Sequence, residues 1–373
     1  MKKIFIILAI LLCADCFAFD YGFLLRNDSD LKTDAAKKMY IDQKDSVYLW
    51  LKTPLSKNSE NYFVAEGMYQ FEYKSNTKSV FNYLDIDLLK LFYKKDFDAF
   101  TFELDTGRFF TGDLSSIIYA QNADGIFARI KNQAIDASVY VAYTGLLNAN
   151  LVKMINSSFY KGADSSKVYS LADRYINTIA TVSLPNLFAG QTLEVQGMAS
   201  FRIDQKKYDR YYATVCLYGM IYGNLLYNVI TSVGFVNEEA KPLVVSPLVY
   251  GRLAYYFSNA SIGLNCIFAG QKFTGFTNIA ALNSFNEPTY SSILISGLSG
   301  TYKPIENLLI KAGADIAFDG NKNYELKGVQ YELSCDWQIV SDVLLAVGWK
   351  QYFDINKTDV NYFDLSVRAR VSF

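Results

Sequence analysis

Acidic and basic side chains recur at alternate positions along this sequence, but the residue that most enzymes use for proton transfer is missing. The chain of 373 residues contains no histidine. This excludes Ser-His-Asp triads, Cys-His dyads and most zinc sites. Asp85 and Asp87 are spaced for one face of a strand, where lining a polar surface is a simpler role than acid–base chemistry. We therefore expect no enzymatic activity, no metal and no cofactor.

The charged residues instead form polar faces opposite apolar ones. In 99–107, 135–143 and 191–202, apolar and polar residues alternate with a period of two, which is typical of a strand. Charges facing the interior of a barrel can set ion or solute selectivity. The alternative is that they pair with one another and only satisfy a wet interior. The alternation predicts that the following residues line a lumen: Glu103, Asp105, Arg129, Lys131, Asp136, Arg202, Arg368 and Arg370.

The carboxy-terminal run 363–373 is the clearest of these strands. It alternates without a break and stops on an aromatic residue. This resembles the closing strand of bacterial outer-membrane β-barrels, whose terminal Phe and alternating apolar positions are read by the barrel-assembly machinery. The resemblance implies an assembly signal formed by Leu365, Val367, Ala369, Val371 and Phe373.

The amino-terminal residues predict export. Met1-Lys-Lys is a short basic region, 4–12 is apolar, and Cys16-Phe17-Ala18 places small residues where a signal peptidase cuts. We expect a signal peptide over 1–18 and a barrel over 19–373. A lipoprotein is the alternative for this end, because Cys13 and Cys16 are present, although the residues before each fit a lipidation box poorly. Little sequence precedes the first strand, so no plug domain is expected there.

Composition and spacing favour an all-β, closed antiparallel transmembrane barrel. Aromatic residues make up 16% of the chain and there are only 6 prolines, as expected for a barrel with aromatic girdles and continuous strand pairing. Runs of about ten residues predict about 18 strands, with 16 or 14 as alternatives. The predicted strands begin with 20–27 and 45–54, and the longest predicted connections are 28–44, 146–176 and 270–289. All three are odd-numbered, which places them on the outer side if both termini are periplasmic.

A short motif adds a local resemblance. Gly107-Arg108-Phe109-Phe110, followed by Asp124-Gly125-Ile126, resembles the Gly-Arg and Asp-Gly pairing of some eighteen-stranded porins, including alginate-export channels. In that family Gln often follows Gly-Arg, whereas Phe109 stands here, so no substrate is transferred. We expect the intervening loop 111–123 or the long loop 146–176 to fold inward and narrow the pore.

These patterns lead to one functional hypothesis and one alternative. The hypothesis is a porin-like channel for passive diffusion of small hydrophilic solutes in the outer membrane of a diderm bacterium. The alternative is a surface-exposed barrel acting as an adhesin, a ligand-binding protein or a structural protein. The expected partners are outer-membrane lipid, the barrel-assembly machinery and small solutes, with either a monomer or a homotrimer. A formal charge of −1 gives no electrostatic footprint for nucleic acid.

Overall fold

The computed structural model describes residues 19–33, 38–56, 60–152, 154, 166–203, 207–277, 292–355 and 361–373. The predicted signal peptide, 1–18, lies outside these residues. The described chain is almost entirely strand, with one 3-10 turn at Gly320–Lys322. None of its helical segments has the length and hydropathy that crossing a bilayer would require.

Eighteen strands follow one another along the chain, as the alternation predicts. They are β1 Asp20–Thr33, β2 Met39–Pro54, β3 Tyr62–Lys74, β4 Ser79–Asp96, β5 Thr101–Gly112, β6 Ala120–Lys131, β7 Asp136–Tyr143, β8 Tyr175–Phe188, β9 Gln191–Arg202, β10 Tyr208–Tyr222, β11 Leu225–Glu238, β12 Val244–Tyr256, β13 Ala260–Ala269, β14 Ile293–Ile305, β15 Leu308–Asp319, β16 Glu325–Val340, β17 Val343–Asp354 and β18 Tyr362–Ser372.

The sheet closes on itself. Each strand pairs antiparallel with its sequence neighbours, and β1 pairs with β18 from Leu24↔Ser372 to Lys32↔Asp364. Phe23 and Phe373 exchange backbone hydrogen bonds of 3.0 and 2.9 Å, and their rings stack with centroids 4.7 Å apart. Because the first and last strands pair, the barrel has no free edge strand, as a sheet that spans lipid requires.

Alternation assigns the two faces of the wall. On β18 the apolar residues from Leu365 to Val371 share the outward face with the exposed Leu25 of β1, which is the register partner of Val371. Between them, Arg368 and Arg370 face inward, opposite Asp28 and Arg26. The closed all-β barrel of 18 strands is thus confirmed.

One predicted loop is wrong. The connection expected at 28–44 is only 34–38, because β1 continues to Thr33 and β2 begins at Met39. Residues 28–33 pair on both sides, with β2 and with the closing strand β18. The run 28–33 contains only one apolar residue, Leu31, so alternation predicts no strand there, and its pairing with β2 and β18 makes it part of the sheet. The two longest connections, 144–174 and 270–292, lie on the rim opposite the termini, which we call the loop rim.

Candidate functional site: an inward hairpin and the narrowed lumen

One hairpin leaves the barrel wall. Pairing between β4 and β5 stops at Leu89↔Arg108, and pairing between β6 and β7 stops at Asp124↔Tyr143. Between these points β5 and β6 still pair with each other, up to Gly112↔Ala120. Residues 109–123 therefore form a hairpin that joins the wall by strand pairing only at its base. We call residues 109–123 the inner hairpin.

Two glycines stand at the base of the inner hairpin and face each other in register, Gly107 and Gly125. Gly107 has φ +114°, a conformation that residues with a Cβ rarely adopt. A Cβ on Gly107 would overlap the carbonyl oxygen of Leu89, and one on Gly125 would collide with the backbone of Val141. The sequence can turn out of the wall here because both positions lack a side chain.

Arg108 ties the base of the hairpin to its neighbours and is only 5% exposed. Its Nε and Nη2 donate to the two carboxylate oxygens of Asp124, at 2.9 and 2.8 Å. Nη1 donates to Asp85 Oδ1 and to the carbonyl oxygen of Ile86, both at 3.0 Å. Nη2 also donates to the carbonyl oxygen of Leu146 at 2.8 Å. A forked guanidinium suits this task, since it can bind one carboxylate with two parallel bonds and still reach other acceptors.

The tip of the inner hairpin is shaped by Asp113. Its carboxylate accepts hydrogen bonds from the backbone N–H groups of Ser115 (2.8 Å), Ile118 (3.0 Å) and Tyr119 (2.8 Å). Tyr119 is fully buried, and burial raises the pKa of its phenol to about 12. The tip is therefore a defined, packed structure rather than a loose loop.

A second inward segment, residues 270–277, meets this tip. The N–H groups of Phe276 and Thr277 donate to the carbonyl oxygen of Ile118 at 2.6 and 3.0 Å. Arg210 of β10 is completely buried and donates to the carbonyl oxygen of Gly275 at 2.7 Å. Its guanidinium also lies 5.2 Å from the ring centroid of Phe276. These contacts join the inner hairpin, residues 270–277 and the inner face of β10 into one packed body inside the barrel.

The largely apolar inner wall of β8 to β14 explains which side of the lumen is filled. The inward positions of β8 to β14 near the loop rim carry buried apolar or aromatic side chains that belong to one cluster with the inner hairpin, including Ile179, Met198, Tyr212, Leu248, Ile267 and Ile295. Apolar surface inside a barrel is stable only when something covers it. The inner hairpin and residues 270–277 supply that cover.

Open space remains along the inner faces of β2 to β4. A cavity of about 560 Å³ is lined by Lys52, Tyr62, Lys90, Asp105, Phe110 and Phe127. A second cavity, of about 450 Å³ and nearer the loop rim, is lined by Met68, Asp85, Asp87, Phe110, Leu147 and Val152. Phe110 belongs to both and is 63% exposed, so its ring stands where the two cavities meet. Both cavities lie between the inner hairpin and the inner faces of β3 and β4.

Several residues predicted to line the lumen form ion pairs in its terminus-side half. Glu103, Asp105 and Arg129 face inward on β5 and β6, and Lys90 lies 3.2 Å from Asp105. Arg129 donates from Nε to Asp136 Oδ1 at 2.7 Å and lies 3.5 Å from Glu103. These pairs connect neighbouring strands.

The remaining predicted residues lie elsewhere on the inner wall. Lys131 is the register partner of Asp136 at the terminus-side rim. Arg368 donates to Asp28 at 2.8 Å, and Arg370 is the register partner of Arg26. Arg202 is at the loop rim, 3.3 Å from Asp173 and largely buried.

Sequence reasoning did not single out the residues that build the constriction. Arg108 and Asp124 stand out in the sequence only as members of the Gly-Arg and Asp-Gly pairs, and Phe110 only as the residue that ends the segment 107–110. The signal was present, because the Gly-Arg and Asp-Gly pairs bracket the inner hairpin and form its base. Of the two loops expected as alternatives, 111–123 folds into the lumen, and the described part of 146–176 accepts a hydrogen bond from Arg108, at the base of the hairpin, through the carbonyl oxygen of Leu146.

Strand pairing and lumen together define a closed, 18-stranded antiparallel barrel with a partly filled interior. The structure is similar to OccK5 (OpdH) of Pseudomonas aeruginosa, with a TM-score of 0.64 and 12% identity over 95% of this chain and 98% of that chain. It is also similar to P. aeruginosa OpdK solved with vanillate, with a TM-score of 0.64 and 11% identity over 95% of this chain and 98% of that one. Acinetobacter baumannii OccAB4 gives a TM-score of 0.65 and 10% identity over the same shares. No protein-family model matches the sequence, and no curated protein matches it.

Proposed function

We propose that this protein is an outer-membrane channel through which small hydrophilic solutes diffuse passively. The observation that carries the proposal is the pair of cavities joined at Phe110, which form a path beside the inner hairpin. An 18-stranded barrel is wide enough for an aqueous lumen. Charged residues on both cavities, such as Lys90, Asp105, Asp85 and Asp87, would keep that path wet and select among solutes.

The similar structures support this proposal by their fold. OpdK has been crystallised with vanillate, a small aromatic solute. A ring-bearing solute would meet Phe110 and Tyr62 in the larger cavity, with charged groups nearby for a polar substituent. We infer the same general class, small solutes with at least one polar group, for this chain. The proposed channel is compatible with either a monomer or a homotrimer. It is also compatible with export as a precursor and with insertion by the barrel-assembly machinery.

Single-channel recording tests the proposal directly. The refolded chain in a planar bilayer should give stable stepwise currents in simple salt. Phe110→Ala should raise the conductance because it removes the ring where the cavities meet, and Phe110→Trp should lower it. Phe201→Ala is the matched control, since Phe201 lies on the outward face of β9 and its loss should leave conductance unchanged.

The result that would overturn the proposal is equally clear. A folded barrel that conducts no current, in wild type and in Phe110→Ala alike, would shift the weight to the alternative of a surface-binding or structural barrel. Conductance that is insensitive to both Phe110 substitutions would keep the channel but refute the assigned path.

A further inference from the structure

The inner hairpin leaves a gap in the wall, and part of the connection between β7 and β8 fills it. We call its described residues, 144–152 and 166–174, the closing segment. From Ser79 to Leu88, β4 has no strand partner on the β5 side. There the N–H of Leu84 donates to the carbonyl oxygen of Val168 at 3.1 Å. The side chain of Asn148, fully buried, donates to the carbonyl oxygens of both Leu84 and Val168, at 3.1 and 3.0 Å.

The closing segment is a single layer between the lumen and the outside. Leu147 is 4% exposed and lines the 450 Å³ cavity, whereas the preceding residue, Leu146, is 51% exposed. Val168 and Leu171 are exposed as well. The cavity therefore reaches the closing segment, and other apolar side chains of the same segment are exposed.

The gap lies at the depth of the apolar belt. Leu84 and Ile86, on the outward face of β4 beside the closing segment, are large exposed hydrophobic residues, as lipid contact requires. Lipid cannot satisfy free backbone groups, so irregular backbone at this depth must be bonded within the protein. Arg108 donates a hydrogen bond to the carbonyl oxygen of Ile86, and the side chain of Asn122 donates one to the carbonyl oxygen of Asp87 at 2.8 Å.

We propose that the wall opens at this seam between β4 and the closing segment, giving amphipathic solutes a side route between the 450 Å³ cavity and the surrounding lipid. Elsewhere around the barrel each wall strand is joined to its neighbour by a ladder of at least eight register pairs. Here one backbone bond and a few side-chain bonds hold the gap, so it is the weakest line in the described wall. An apolar body would pass between Met68, Phe110 and Leu147, and its polar group would meet Asp85, Asp87 and Arg108.

Photo-crosslinking to lipid tests the opening without depending on conductance. A benzophenone amino acid placed at Phe110, in a chain reconstituted into phosphatidylcholine vesicles, should form lipid adducts detectable by mass spectrometry. The same probe at Tyr250, an inward position on β12 far from the seam, should give almost none. At Leu49, outward on β2, it should give many.

Two further variants follow the seam itself. Asn148→Ala removes both bonds to Leu84 and Val168 and should raise the adduct yield at Phe110 several-fold. A disulfide between Leu84→Cys and Val168→Cys, in a background with Cys216, Cys266 and Cys335 changed to Ala, should abolish it until reductant is added. A yield at Phe110 equal to that at Tyr250, or one unchanged by Asn148→Ala, would overturn the side route. Absence of current in the Phe110 recordings would refute the channel but leave this result standing.

Discussion

Replacing Arg108 by alanine tests whether the base of the inner hairpin depends on this one side chain. The substitution leaves the carboxylates of Asp85 and Asp124 without their cation and the carbonyl of Ile86 without the Arg108 donor, whereas the carbonyl of Leu146 keeps the hydroxyl of Tyr169. Breaking a buried ion pair by removing one partner costs about 3–5 kcal/mol. Asp85 and Asp124 keep 11% and 24% of their side-chain exposure, so water can relieve part of the charge. We therefore expect a loss near the lower end, about 3 kcal/mol in the free energy of unfolding.

The measurement is reversible urea unfolding of the barrel in lipid vesicles, with a surface ion pair as the matched control. Lys311 lies 2.6 Å from Asp336, a shorter distance than any ion pair of Arg108, but these side chains are 47% and 29% exposed. An exposed pair is worth about 0–1 kcal/mol, so Lys311→Ala should cost much less than Arg108→Ala. Arg108→Lys should recover only part of the loss, because an ammonium cannot reproduce the fork to Asp124.

A double-mutant cycle isolates the pair itself. Asp124→Asn keeps the shape of the partner and removes its charge, and residues in contact couple by about 0.5–3 kcal/mol. We expect a coupling toward the upper end because the contact is bidentate. Equal losses for Arg108→Ala and Lys311→Ala, or a coupling indistinguishable from zero, would refute the role assigned to Arg108.

Three further outcomes follow from the geometry. Gly107→Ala should destabilise the barrel by about 1–3 kcal/mol, the usual cost of a strained backbone position, whereas Gly197→Ala, with open space around its Cβ, should cost less in the same urea assay. Phe373→Ala should lower the yield of heat-modifiable folded barrel because it removes the ring stacked on Phe23, and Tyr222→Ala, which removes a more exposed aromatic ring beside a turn, should not. The raised pKa of Tyr119 means that its neutral form is favoured in the folded state, so its contribution is complete below pH 10 and is lost as pH rises toward about 12. Over that window wild type should lose up to about 3 kcal/mol more than Tyr119→Phe, and identical pH profiles would contradict the burial.

Strand number and closure could be predicted because lipid imposes the same local rule on every strand. Apolar and polar residues must alternate wherever one face meets lipid and the other meets water. The rule is weakest beyond the membrane, where both faces are wet. The rule also fails where a strand holds few apolar residues, as in 28–33, whose single apolar residue, Leu31, predicts a loop although the run pairs with β18 and β2. Register and the exact ends of strands depend on partners that a single run of sequence does not contain.

The constriction was harder to predict because its residues break the alternation rule. On β5, Arg108 and Phe110 occupy outward positions by parity, shared with Thr106, so a charged and an aromatic residue there seemed to face lipid. Once the hairpin turns inward, those positions face the protein interior. A charged residue directly after Gly107, at a position that alternation assigns to the lipid-facing side, was therefore the sign that this strand leaves the wall.

The same bend links the constriction to the gap in the wall. A hairpin that turns into the lumen narrows the pore, and it also removes two strands from the wall at membrane depth. The second effect has to be repaired, because unpaired backbone in lipid is costly. Arg108 connects the inner hairpin with the closing segment, since it binds Asp124 at the base of the hairpin and the carbonyl oxygen of Leu146 in the closing segment. Any motion that lifts the hairpin would strain the closing segment through this side chain, so pore width and wall integrity are expected to change together.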